Sequence, residues 1–272
     1  MKFRFILGLC CFITQLAMAT PLEARFFDAG GTKLEYLDLG AGEYTLVIES
    51  GVGMGVDYWQ PLLPELEKLP LRTIIYSRAG NGQSQKANDV SLAASNERLQ
   101  QLLTGIEAGN KILLLGHSYG GLQVRTFAAV HPDLVKGLLL LEPSHEGFGK
   151  GLANLDKAWA ERDAARLDAM LNEQPEWRNL QQIYRQNAIA DEGITQKLPT
   201  VVVTSSKLNE SDWWIGHSAA GKKLWRELHQ SLIAHNPNAV HLVTNSTGHN
   251  VPLDNSPLLF RAIDNLLFFI HN

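Results

Sequence analysis

The sequence predicts an α/β fold with a mostly parallel central sheet, helices on both of its faces and a helical cap insertion. Three observations carry that expectation. Short aliphatic runs alternate with segments of helical period, the pattern of parallel strands buried on both faces. The first of the short runs instead reads as a hairpin, which adds an antiparallel edge. One 55-residue stretch, 144–198, breaks the alternation and holds no strand-like run.

Each element has its own signal. "RFFDAGGTKLEYLDLG" gives two short strands around the Ala29-Gly30-Gly31 turn. "EYTLVIES" is a continuous apolar strand that stops at Gly51, "YWQPLLPELEKL" has helical spacing, and "LRTIIYS" is another buried strand. Residues 91–108 place Leu92, Leu99, Leu102, Leu103 and Ile106 on one helical face. "KILLLG" is a strand, "GLQVRTFAAVHP" a helix ended by Pro132, and "VKGLLLLE" a strand. The insertion follows, polar and rich in Ala, Arg, Gln and Trp. "PTVVVTS" (strand), 218–235 (helix), "AVHLVTN" (strand) and "SPLLFRAIDNLLFFI" (helix) close the chain.

The 272 residues are 45% hydrophobic and 19% charged, enough material for one large α/β domain. A net charge of −4 argues against nucleic acid as a partner, which would call for a basic face. The N-terminus has the parts of a secretory signal: Lys2 and Arg4, an apolar run from Phe5 to Leu16, then Ala17-Met18-Ala19. The run is short for a membrane span. Residues 1–19 are therefore expected to be a cleaved signal peptide and 20–272 the mature domain, exported to a periplasm or beyond, with no stable membrane span. Both cysteines, Cys10 and Cys11, would leave with the signal, so no disulfide is expected. Losing Lys2 and Arg4 leaves 22 basic against 28 acidic residues, a net charge of −6.

The chemistry centres on "GHSYG". Gly116-His117-Ser118-Tyr119-Gly120 matches G-x-S-x-G between a strand and a helix, where a sharp turn lifts the serine oxygen above the sheet edge. Small residues two before and two after Ser118 let strand and helix approach, and the helix start directs its dipole at the site. A serine hydroxyl needs a base to take its proton. Of nine histidines, His249 follows the last strand in a loop, at the sheet end that bears Ser118. His131 ends a helix, His217, His229 and His235 lie on or beside one, His241 is in a strand, His271 is terminal, and His117 points away on the turn. An oxyanion hole needs two donors. The Tyr119 N–H supplies one, and the Val52 N–H, in the glycine-rich loop "ESGVGMGVDYW", is the expected second. That loop is not a dinucleotide fingerprint, since Val56 stands where the third glycine belongs and Ser77, not an acid, ends the next strand. No residues have metal-ligand spacing, and no cofactor is expected.

With these blocks in order, the chain resembles the α/β-hydrolase family, specifically its serine esterase-like branch. "LVIESGVGMGVDYWQPLLPEL", "TIIYSRAGNGQS", "LLLGHSYGGLQVRTFAAVHPDLVKGLLLLEPSHEG" and "STGHNVPLDNSPLLFRAI" carry the likeness, which covers nearly all of 25–272. The resemblance implies Ser118 as nucleophile, His249 as base, and Val52 and Tyr119 as oxyanion donors. Two positions depart from the family's pattern: Ser50 precedes Gly51 where a histidine is frequent, and Ser77 replaces a frequent aspartate. The third member of the triad stays open. Most relatives carry the acid after the strand that follows the cap, where this chain has Glu210 and Asp212 in "TSSKLNESDWW". A minority carry it after the strand before the cap, where this chain has Glu142. Glu142 is the first candidate, because a carboxylate ending an aliphatic run needs a partner, then Asp212, then Glu210. The expected function is cleavage of a carboxylic ester through an acyl-enzyme on a small-molecule substrate. Amide, peptide or lactone cleavage and a non-catalytic binding protein are the alternatives. Trp159, Trp177, Tyr184, Trp213 and Trp214 are candidates for an apolar acyl pocket or for ordinary packing. The acyl preference and the oligomeric state are not encoded in any motif.

Overall fold

The computed structural model describes residues 23–208 and 213–272. The expected signal peptide, 1–19, and two of the three candidate acids, Glu210 and Asp212, lie outside the described residues.

Strands β1 (Arg25–Ala29) and β2 (Thr32–Gly40) form the opening hairpin. Gly30 and Gly31 turn it with φ of 61° and 86°, the left-handed pair that matches the twist of a two-residue loop. β3 (Thr45–Glu49), β4 (Arg72–Tyr76), β5 (Ile112–His117), β6 (Val135–Leu141), β7 (Thr200–Ser205) and β8 (Ala239–Thr244) complete a sheet ordered β1-β2-β4-β3-β5-β6-β7-β8. Only β1–β2 and β2–β4 pair antiparallel. The remaining ladders are parallel, so their C-terminal ends share one edge.

The aliphatic runs are continuous because both faces are covered. In β5, Leu114 packs with Val47, Leu138 and Val202 against helices α2 (Leu92–Gly105) and α3 (Gly120–Val130), through Leu99, Leu102, Val124 and Phe127. Its neighbours Leu113 and Leu115 face the other way with Ile48, Leu139 and Val203, under Trp59 and helix α9 (Ser256–His271), through Leu259 and Ile263. All of these side chains are buried. Segment 58–69 departs from its helical spacing. It forms a 3₁₀ turn, Val56–Leu62, and a single α turn, α1 (Leu63–Leu66). Pro61 and Pro64 each remove a backbone donor, which prevents one continuous helix.

Between β6 and β7 lie α4 (Phe148–Leu155), α5 (Lys157–Leu171) and α6 (Pro175–Gln186). Trp177, Leu180 and Ile183 of α6 pack on Tyr119 and Leu122, the start of α3. After β7 comes α7 (Ala219–Ser231), and after β8 the short α8 (Val251–Asp254). Among the described residues no helix is long and apolar enough to cross a membrane.

Candidate active site

β5 ends at His117 and α3 begins at Gly120, so the chain must reverse within two residues. Ser118 makes that reversal with φ +55°, a left-handed conformation that costs a non-glycine residue about 1–3 kcal/mol. The turn is held from three sides. Ser118 N–H donates to Leu141 O (3.1 Å), and Ser118 O accepts from Ser144 N–H (2.8 Å) and Gly121 N–H (2.9 Å). The flanking glycines are required by space. A Cβ on Gly116 would lie 2.6 Å from Gly120 O, and one on Gly120 would lie 2.3 Å from Glu49 O.

His249 follows β8 in the loop before α8, and its Nδ1 lies 3.2 Å from Glu142 Oε2. Glu142 follows β6, is 1% exposed and has φ +46°. Its other oxygen accepts from Ser205 N–H (2.5 Å) and Trp225 Nε1–H (3.1 Å). Burial alone would push the Glu142 carboxyl up. The His249 bond, with the positive field of Lys222, outweighs it and holds the group below the usual carboxylate range. Glu142 is thus charged and positioned to fix the His249 ring, with Nε2 as its free nitrogen. The same cavity receives Ser118, His249 and Glu142, although no hydrogen bond joins Ser118 Oγ to His249 among the described residues.

His117 faces away from the cavity, packed flat on Tyr58 (5.5 Å between centroids). Its Nε2 donates to the His249 carbonyl at 3.0 Å, so it braces the loop that carries the base. Burial pushes its pKa down to about 3, and it is neutral. His229 is also buried, between Pro143 O (2.8 Å) and Thr204 Oγ1 (2.6 Å), with its pKa lowered to about 3 by burial.

The two expected oxyanion amides, Val52 and Tyr119, donate to no protein acceptor among the described residues. What surrounds Val52 was not apparent in the sequence. Arg78, 2% exposed, follows β4 and donates from Nη1 to Ser50 O (2.8 Å) and from Nη2 to Gly51 O (2.7 Å). Glu176, from the first turn of α6, accepts Gly53 N–H (2.9 Å). The two side chains are ion-paired, Arg78 Nε to Glu176 Oε1 at 2.6 Å, and Arg78 Nη1 also meets Glu49 Oε2 at 2.7 Å. Asn81 Nδ2 donates to Glu176 Oε1 as well (3.0 Å). The backbone groups on both sides of Val52 are therefore clamped by one buried ionic cluster. Ser50 and Ser77, the departures from the family pattern, are structural. Ser50 Oγ accepts from Trp59 Nε1 (2.9 Å), and Ser77 Oγ bridges Val56 N–H (3.0 Å) and Glu35 (2.7 Å).

A cavity of about 430 Å³ stands over this floor. Its wall is largely aliphatic and aromatic, with Leu167, Leu171 and Leu180 from α5 and α6. Of the aromatic candidates, Trp177, Tyr184 and Trp214 line it. Trp159 and Trp213 instead pair outside it, Trp159 Nε1 donating to Trp213 O (3.0 Å). No group of three or more metal-ligating side chains converges among the described residues.

A model of the family described as alpha/beta hydrolase fold matches residues 44–213. The chain belongs to the α/β-hydrolase family. Among curated proteins, it is 29% identical over 135 residues to a proline iminopeptidase of Saccharolobus solfataricus, covering 47% of this chain and 43% of the relative. It is 33% identical over 105 residues to a pimeloyl-[acyl-carrier protein] methyl ester esterase of Edwardsiella ictaluri, 39% of this chain and 38% of that one. The match thus spans less than half the length of each of these two relatives. Of solved structures, a thermophilic esterase of Thermogutta terrifontis superposes with a TM-score of 0.62 at 19% identity, over 92% of this chain and 100% of that one. A meta-cleavage product hydrolase of Pseudomonas fluorescens gives 0.62 at 19%, over 89% and 97%. At that identity, both are likenesses of fold.

Proposed function

We propose that this protein is an exported serine hydrolase that cleaves carboxylic esters through an acyl-enzyme on Ser118. One observation carries the proposal: a serine held in left-handed backbone between obligatory glycines shares an apolar cavity with a histidine whose far nitrogen meets a buried, charged carboxylate. Substrate binding brings Ser118 Oγ and His249 Nε2 into hydrogen-bond reach, as is usual for sites that tighten only in the loaded complex. Nε2 takes the hydroxyl proton as Oγ bonds to the ester carbon, and the carbonyl oxygen becomes an oxyanion facing the Val52 and Tyr119 amides. Glu142 stabilises the imidazolium without taking its proton. The C–O bond then breaks, and Nε2 protonates the leaving alkoxide. Water, deprotonated by the same nitrogen, attacks the acyl carbon and returns the Ser118 hydroxyl, releasing a carboxylic acid.

The named activity of the Edwardsiella relative, ester cleavage, supports this reading. That of the Saccharolobus relative, an iminopeptidase, keeps amide cleavage as the second one. A fluorophosphonate probe tests the nucleophile. A phosphonyl mass on the peptide containing Ser118, lost in Ser118→Ala, is expected, and an unlabelled but folded wild-type protein would sink the proposal. Export rests on the signal pattern of residues 1–19 and predicts a mature chain that begins at Thr20, read by intact mass.

A further inference from the structure

Lys222 is a charged side chain in a place that disfavours it. It is 7% exposed and lines the apolar cavity together with Ser118 and His249. It also stands in the first turn of α7, where the helix dipole repels a cation. Among the described residues no carboxylate lies within ion-pair distance of its ammonium. Glu142, the only acidic residue among the described residues that line the cavity, is engaged with His249, Ser205 N–H and Trp225 Nε1–H. Trp225 follows one turn later on α7 and packs edge-on against Phe148, 4.4 Å between centroids, so the helix face that presents Lys222 is fixed. A buried ammonium with no anion of its own is costly unless something arrives to pair with it.

We infer that Lys222 receives a carboxylate on an otherwise apolar substrate. On the ester reading above, the preferred substrates are esters that carry a free carboxylate at the far end of a short apolar chain, such as half-esters of dicarboxylic acids. The aliphatic wall takes the chain, the ammonium takes the free acid, and the scissile carbonyl is left over Ser118. A single ammonium suits a monovalent carboxylate, not a phosphate dianion, which calls for several donors.

The test compares kcat/KM for p-nitrophenyl hydrogen adipate and p-nitrophenyl heptanoate, similar in length but differing in the terminal charge. In wild type the adipate-to-heptanoate ratio is expected to exceed one and to fall as salt is raised. In Lys222→Met the ratio should drop about tenfold to a hundredfold, the value of one charged hydrogen bond, and Lys222→Arg should restore part of it. A ratio that does not move in Lys222→Met overturns the inference, even if both rates fall together. That outcome would mean that Lys222 serves the charge of Glu142 or pairs with Asp212 or Glu210. Should wild type cleave neither ester, the ester reading has failed separately. The lysine is then judged by calorimetry of octanoate against octanol on Ser118→Ala protein. Selective octanoate binding that Lys222→Met abolishes supports it, and equal binding of both overturns it.

Discussion

Glu142→Gln changes one atom, and the structure dictates which way the new amide turns. Glu142 Oε1 accepts two fixed donors, Ser205 N–H and Trp225 Nε1–H, while Oε2 meets only His249 Nδ1. Glutamine has one oxygen to offer. If that oxygen turned to His249, two buried donors would face an NH₂ group, and each unsatisfied donor costs about 1–3 kcal/mol. The oxygen therefore stays on the Ser205–Trp225 side by roughly 2–6 kcal/mol, and the NH₂ points at Nδ1. His249 must then accept at Nδ1 and carry its proton on Nε2, where no lone pair remains for the Ser118 hydroxyl. A wrong-tautomer triad of this kind loses about 10⁴ in kcat. The expected outcome is a folded protein with near-normal KM, kcat reduced by about that factor, and fluorophosphonate labelling slowed in parallel. Asp212→Asn and Glu210→Gln should retain turnover. If Glu142→Gln stays within about tenfold of wild type and Asp212→Asn loses the orders of magnitude, the orientation argument is refuted. Glu142 would then only join β6 to β7.

The clamp at Val52 makes a second claim. Glu176→Gln sets an amide against Arg78 and removes half of its countercharge, so unfolding should move to lower urea by about 3 kcal/mol. In protein that remains folded, kcat should fall more than KM rises, because an oxyanion donor is misplaced. Unchanged kcat in folded protein would make the clamp purely structural. Gly120→Ala places a methyl 2.3 Å from Glu49 O with no flexible neighbour to yield, so little soluble protein is expected from expression trials. Acid sensitivity should start well above the carboxylate range. His117 and His229 have pKa values lowered to about 3, so below about pH 6.5 the unfolded chain binds protons that the fold refuses. Stability is then lost as pH falls, by about 2 kcal/mol per histidine between pH 6.5 and 5, read from urea midpoints. A flat profile over that window contradicts the neutral, buried assignment.

The sheet and the elbow were legible because they depend on neighbours in sequence. An aliphatic run between breakers is a buried strand wherever it lands, and Gly116, Ser118 and Gly120 meet within five residues. The hairpin, the parallel order and the helical stretch before β7 follow from the same local patterns. The acid is a different kind of fact. Glu142 reaches His249 only because β6, β7 and β8 lie side by side, so that the loop after β8 crosses β7 to the end of β6. That adjacency is tertiary, and 107 residues separate the partners. The clamp was hidden for a sharper reason. Glu176 follows Pro175 at the start of α6, where an acidic residue already has a sufficient local explanation in the helix dipole. Its partner Arg78 lies 98 residues away in a turn rich in glycine. A residue with an adequate local reason gives no signal of a second, remote one. Lys222 is the converse, since a cation in the first turn of a helix contradicts its local rule. Such a mismatch is the kind of signal that sequence can offer about a site built from distant parts, and here it sits on the wall of the cavity that holds Ser118.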